Sequence, residues 1–161
     1  MTLAEKNNNP FNLLQINPSK WRGLIGREAN GLLQFDTLLN GIRAGFINLI
    51  QKVNNGSNTI EKIFNSYGDP GHEEEYKKFV SDQTGIGRNT TLSKPSQLLA
   101  IGKAIVKMEA GKYWVTDSQM IQGLDAALQS YSLKENIKRG TIGLGVLIAI
   151  VVSLYPVSVY G

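Results

Sequence analysis

The carboxylate with the most chemical promise is Glu109, in the stretch KMEAGKYW. It falls at the end of an apolar helical pattern, just before Gly111 and close in sequence to Tyr113 and Trp114. Apolar and aromatic surroundings disfavour the charged form of a carboxyl group, so a glutamate placed there can hold its proton near neutral pH and donate it to a glycosidic oxygen. A solvated helix end is the plainer alternative. Trp21, Tyr113 and Trp114 have the amphipathic rings that stack on sugars, although tryptophans in so small a domain also fill cores. The planar fork of Arg43 can orient a carboxylate, bind an acidic peptide stem, or brace the opening loop. The chain has no cysteine and a single histidine, His72. Thiol nucleophiles, disulfide scaffolds and multi-histidine metal sites are thereby excluded, and neither metal nor cofactor is expected.

These residues need elements to hold them, and 161 residues suffice for one small core. The Asn-, Pro- and Gly-rich opening predicts a loop with short extended pieces at 21–24 and 32–35. Asp36 or Thr37 can cap a helix in which Leu38, Leu39, Ile42, Phe46, Leu49, Ile50 and Val53 recur at helical spacing, ending at Asn54-Asn55-Gly56. Asn58 opens a shorter helix, and YGDPG forces a turn. A third helix runs from His72 to Thr84, its Glu73-Glu74-Glu75 start suiting the positive helix N-terminus. A fourth starts at Ser96 and a fifth at Thr116 or Asp117. The expectation is a mainly α chain with little sheet.

The segment 141–161, TIGLGVLIAIVVSLYPVSVYG, carries no charge. Its length matches the roughly 20 residues that cross a bilayer. Lys134, Lys138 and Arg139 precede it, and Tyr155 and Tyr160 sit at its far end, both typical flanks of a membrane span. A buried core helix interrupted at Pro156 is the alternative. The opening residues lack the apolar stretch of a secretory signal. The division expected is therefore a soluble helical domain at 1–132, a basic juxtamembrane segment at 133–140 and a transmembrane helix at 141–161. The formal charge of +4 favours acidic partners, but no aromatic-basic pattern requires nucleic acid.

The ordered series NNNPFNL, WRGLIG, LLQFDTLLNGIRAGFINLI, GSNTIEKIF, YGDPGHEEEYKKFV, TGIG and IVKMEAG resembles a bacteriophage virion family, commonly called structural protein and linked to peptidoglycan degradation. The resemblance covers roughly residues 7–125. Asn9, Pro10 and Asn12 match its opening, with Phe11 in place of a glycine. Phe35, Gly41, Ile42, Arg43 and Ala44 match its helix, and Asn58, Thr59 and Ile60 the next segment. Tyr67 to Pro70 stands where the family has a Trp-Ala-Pro turn, and Met108 to Gly111 where it has a histidine-glutamate-asparagine-glycine segment. Glu109 and Gly111 are kept; the histidine is not. The Glu-x-Gly helix end is also similar to the catalytic segment of lysozyme-like lytic transglycosylases.

The resemblance implies a small lysozyme-like helical domain with Glu109 as catalytic acid. It implies a virion protein, anchored in an internal viral membrane, that cuts peptidoglycan glycan strands during genome delivery. Peptidoglycan, a lipid membrane and other virion proteins are the partners it suggests. A transglycosylase can use one carboxyl group as acid and then base. A hydrolytic muramidase needs a second carboxylate some 5 to 9.5 Å away, for which Asp36, Glu28 and Asp117 are candidates. A noncatalytic minor structural protein that binds wall polymer, capsid or DNA is the alternative, favoured by the missing histidine.

Overall fold

In a computed structural model, residues 1–14, 21–67 and 71–131 are described. They are 55% helical, which bears out the mainly α expectation. Six α-helices appear among them: α1 (Leu3–Lys6), α2 (Leu38–Asn54), α3 (Ile60–Ile63), α4 (Glu73–Thr84), α5 (Pro95–Ala110) and α6 (Asp117–Leu128). A two-stranded antiparallel sheet joins β1 (Leu24–Arg27) to β2 (Leu33–Phe35). A 3₁₀ turn, Phe64–Ser66, follows α3 directly.

The anticipated lysozyme-like domain with a C-terminal transmembrane helix requires correction. Among the described residues no helix is long and apolar enough to cross a membrane. The longest, α2, has 17 residues and carries Arg43 and Lys52. At 1.5 Å per residue it reaches about 26 Å, short of the roughly 30 Å hydrocarbon layer. The segments 133–140 and 141–161 lie outside the described residues.

Local chemistry sets the helix ends. The hydroxyls of Thr37, Thr59 and Thr116 accept hydrogen bonds from the backbone amides of Asn40, Lys62 and Gln119, satisfying donors that the first helical turn leaves unpaired. Gly85 and Gly111 take the left-handed conformation that ends α4 and α5. The short α1 escapes a periodicity reading, and its capping box of Thr2 and Glu5 explains why four residues hold a helical turn.

The opening loop lies along β2 and the start of α2. Asn9 is fully buried; its amide donates to the carbonyls of Leu13 (3.1 Å) and Leu33 (3.0 Å), and its Oδ1 accepts from the Leu13 amide (2.9 Å). Asn8 donates to the Phe35 carbonyl (3.1 Å), and the Phe35 amide donates to the Asn7 carbonyl (2.9 Å). Asparagine side chains thus supply the pairing that a regular third strand would give. Close approach to α2 depends on Gly41 and Gly45. A Cβ on Gly41 would lie 1.7 Å from the Asn8 carbonyl oxygen, and one on Gly45 would lie 2.1 Å from the Phe11 ring. Phe11 meets Phe46 edge to face, with centroids 5.2 Å apart, and Gly102 of α5 leaves room for both rings.

Helices α3 and α4 and the loop after α4 are tied by ions. Lys77 Nζ lies 2.9 Å from Glu61 and 2.9 Å from Glu74, while Arg88 Nη2 lies 2.6 Å and 3.0 Å from the same two carboxylates. Hydrogen bonds from Lys77 and then Arg88 hold both glutamates below their ordinary value of 4.5. A carboxylate whose pKa is lowered by folding contributes stability above its unfolded pKa and loses it as the pH falls through the folded one. The thermal midpoint should therefore be nearly flat from pH 7 to about 5 and drop below about pH 4.5. Glu61→Gln should show a shallower drop when unfolding is followed by circular dichroism across pH 3 to 7. Identical acid slopes would remove the cluster from the account.

Candidate functional site

Along α5, Leu98, Gly102, Ile105 and Glu109 follow one another at intervals of four, three and four residues, so all four lie on one helical face. Leu98, Gly102 and Ile105 are buried, and Glu109 continues their stripe as a half-buried carboxylate at the helix end. Asn12 Nδ2 donates to Glu109 Oε2 at 2.6 Å, and the Tyr76 hydroxyl donates to Oε1. Donors therefore reach both oxygens, one from the opening loop and one from α4.

Aromatic rings back the carboxylate. Tyr76 stacks on Phe64, with centroids 5.7 Å apart and planes at 20°. Tyr67 packs edge-on against Phe64 at 5.3 Å and lies 5.9 Å from Tyr76. The Tyr67 hydroxyl donates to the Phe11 carbonyl at 2.9 Å. Burial, then the negative charge of Glu109, then Tyr76 push the Tyr67 phenol well above its usual pKa, so it stays a donor. Asn12 is held at φ +46°, a left-handed conformation that asparagine tolerates better than most non-glycine residues. Its Oδ1 is buried without a hydrogen-bond partner, leaving one acceptor beside the carboxylate unsatisfied. Both oxygens of this half-buried carboxylate are thus held by donors from two other segments, with aromatic rings behind them.

The other residues singled out by sequence lie elsewhere. Arg43 joins α2 to the end of α6 rather than bracing the opening loop, donating to the Ala126 carbonyl (3.4 Å) and Ser130 Oγ (2.8 Å). Trp21 and Trp114 are half-buried against the core, and the Trp114 indole nitrogen is buried without a partner. Tyr113 is exposed and donates to Asp117 at 3.0 Å. Each second-carboxylate candidate has its own local donors. Asp36 accepts from Asn40 (2.7 Å), Glu28 from Lys6 (3.1 Å) and Gln34 (3.0 Å), and Asp117 pairs with Lys103 (2.9 Å). Those first-named donors hold all three acids below the usual carboxylate range, as suits ion pairs and caps. His72 sits exposed before α4, 3.2 Å from Glu75.

The rings around Glu109 are thus Tyr76 and Tyr67, where the sequence suggested Tyr113 and Trp114. Asn12 was legible as part of the opening motif, but nothing local marks Tyr76, which is 33 residues from its acceptor. Among the described residues no group of three or more His, Asp or Glu side chains could hold a metal ion. Compared with known proteins, the chain matches no family model and no curated sequence.

Proposed function

We propose that this protein cleaves the glycan strands of peptidoglycan as a bacteriophage virion enzyme, with Glu109 as the proton-transfer group. One observation carries the reading. Three segments separated in sequence meet around a single carboxylate: Asn12 from the opening motif, Tyr76 from α4, and Glu109 itself. Glu109, when protonated, would give its proton to the glycosidic oxygen as the C–O bond breaks. The resulting carboxylate would then take a proton from the attacking hydroxyl. If that hydroxyl belongs to the sugar, one acid suffices and the product carries an anhydro-muramic end. If it is water, the product has a reducing end.

Purified full-length protein incubated with isolated peptidoglycan should release soluble muropeptides, and mass spectrometry of their termini distinguishes the two reactions. Absence of release at any pH from 4 to 8 would leave the second reading, a noncatalytic binding protein. One observation favours that second reading: a hollow of about 290 Å³ is lined by Ala100, Lys103, Ala104 and Lys107, on the side of α5 away from Glu109.

A further inference from the structure

We propose that Asn55 is a site of spontaneous deamidation, converted to aspartate and isoaspartate, and that the fold sets its reactivity above that of two other Asn-Gly pairs. Those pairs are Asn30-Gly31 and Asn40-Gly41. A glycine after asparagine leaves its backbone nitrogen open to attack on the side-chain amide, because no Cβ shields it or restricts the rotation that joins the two. Sequence makes the three pairs alike, and their surroundings separate them.

Asn40-Gly41 lies in the first turn of α2. Asn40 Nδ2 donates to Asp36 (2.7 Å), the Gly41 amide donates to the Thr37 carbonyl (3.2 Å), and Gly41 is buried beneath the Asn8 carbonyl. Ring closure there would break the helix against the opening loop. Asn30 is exposed at the tip of the β1–β2 hairpin, but it is tied on several sides. Its Oδ1 accepts from the Leu32 amide (3.2 Å), the Gly31 amide donates to the Glu28 carbonyl (2.9 Å), and the Glu28 amide closes the loop on the Leu32 carbonyl (2.8 Å). Asn55 stands at the C-terminal end of α2. It and Gly56 are exposed, its side chain makes no hydrogen bond among the described residues, and a Cβ on Gly56 would meet no atom within 4 Å. Closure requires Asn55 ψ to leave 13° and the Gly56 and Ser57 amides to leave the Val53 and Lys52 carbonyls (3.1 and 2.9 Å). Those bonds belong to the end of a helix, where local opening costs least.

In the reaction the Gly56 nitrogen gives its proton to water and attacks Cγ of Asn55. The bond from Cγ to the side-chain nitrogen breaks and ammonia leaves, closing a succinimide ring. Water then opens the ring. Addition at the side-chain carbonyl leaves aspartate, and addition at the backbone carbonyl leaves isoaspartate, whose main chain runs through Cβ and Cγ. Either product adds a negative charge beside the carbonyls that end α2, where the helix dipole disfavours it.

Full-length protein is held at pH 8, folded or in urea, and sampled over several days by peptide mapping with fragmentation that distinguishes aspartate from isoaspartate. In the folded protein Asn55 should react about five times faster than Asn30, the factor that one additional hydrogen bond contributes to a local equilibrium, while Asn40 stays intact. In urea the three rates should come together. Gly56→Ala should slow the reaction at Asn55 severalfold and leave that at Asn30 unchanged. Asn55 reacting no faster than Asn30 in the folded protein, or the same ranking persisting in urea, would overturn control by the fold. Aspartate without isoaspartate at position 55, or an unaltered rate in Gly56→Ala, would overturn the cyclic route.

Discussion

Glu109→Gln should lower muropeptide release by a factor of about 10² to 10⁴, the range associated with removing a positioned acid or base. The substitution keeps the length and shape of the side chain and removes its ability to exchange a proton. Its carbonyl oxygen can still accept from Asn12 Nδ2, and its amide can donate to the Tyr76 oxygen, so both contacts can persist in neutral form. Exchanging charge-assisted bonds for neutral ones costs about 1 to 2 kcal/mol. Activity should therefore collapse while the far-ultraviolet circular dichroism spectrum is preserved and the thermal midpoint falls by only a few degrees. If the wild type is active and the variant keeps activity within threefold of it, Glu109 merely ties the opening loop to α5.

In Gly41→Ala, two effects of opposite sign compete. Alanine favours an α-helix over glycine by about 1 kcal/mol, which would stabilise α2. The new methyl group, however, would lie 1.7 Å from the Asn8 carbonyl oxygen and 3.3 Å from the Phe35 ring. The first of these contacts is with backbone that side-chain rotation cannot clear. Displacing the loop strains the bonds that Asn8 and Asn9 make to β2. Clash should win, with a net loss of about 3 kcal/mol, at the upper end of overpacking costs. The midpoint should fall by about 10 °C. Gly56→Ala is the informative comparison. Its new methyl meets no atom within 4 Å, and only the left-handed backbone at φ +97° opposes it, which should cost about 1 to 2 kcal/mol. Because Asn12 belongs to the displaced loop, Gly41→Ala should also reduce muropeptide release well below that of Gly56→Ala when both are assayed folded at low temperature.

Much of the helical framework was legible because its signals are local. The stripe from Leu38 to Val53, the threonine at the start of α2 and the glycines after α4 and α5 each act within a few residues, and the helices fall where those signals place them. The sequence places the first extended piece at 21–24 whereas the strand runs 24–27, because Trp-Arg-Gly-Leu-Ile-Gly-Arg has no strict alternation to fix its start. The carboxylate was readable from its place at an apolar helix end. Its surroundings were not, since hydrogen bonds spanning 97 and 33 residues leave no trace in local spacing. Tyr113 and Trp114 looked like neighbours of Glu109 because they follow it closely. Gly111, left-handed at φ +67°, ends the helix, and beyond it Tyr113 turns to Asp117 and Trp114 to the core.

The bond between Asn12 and Glu109 also bears on when the site comes into being. Synthesis delivers the amide first and the carboxylate 97 residues later, so a ribosome-bound chain holds half of the arrangement until most of the domain has been made. Prematurely terminated products that stop before α5 is complete have the asparagine and no carboxylate to receive its bond, so they lack the tie between the opening loop and α5.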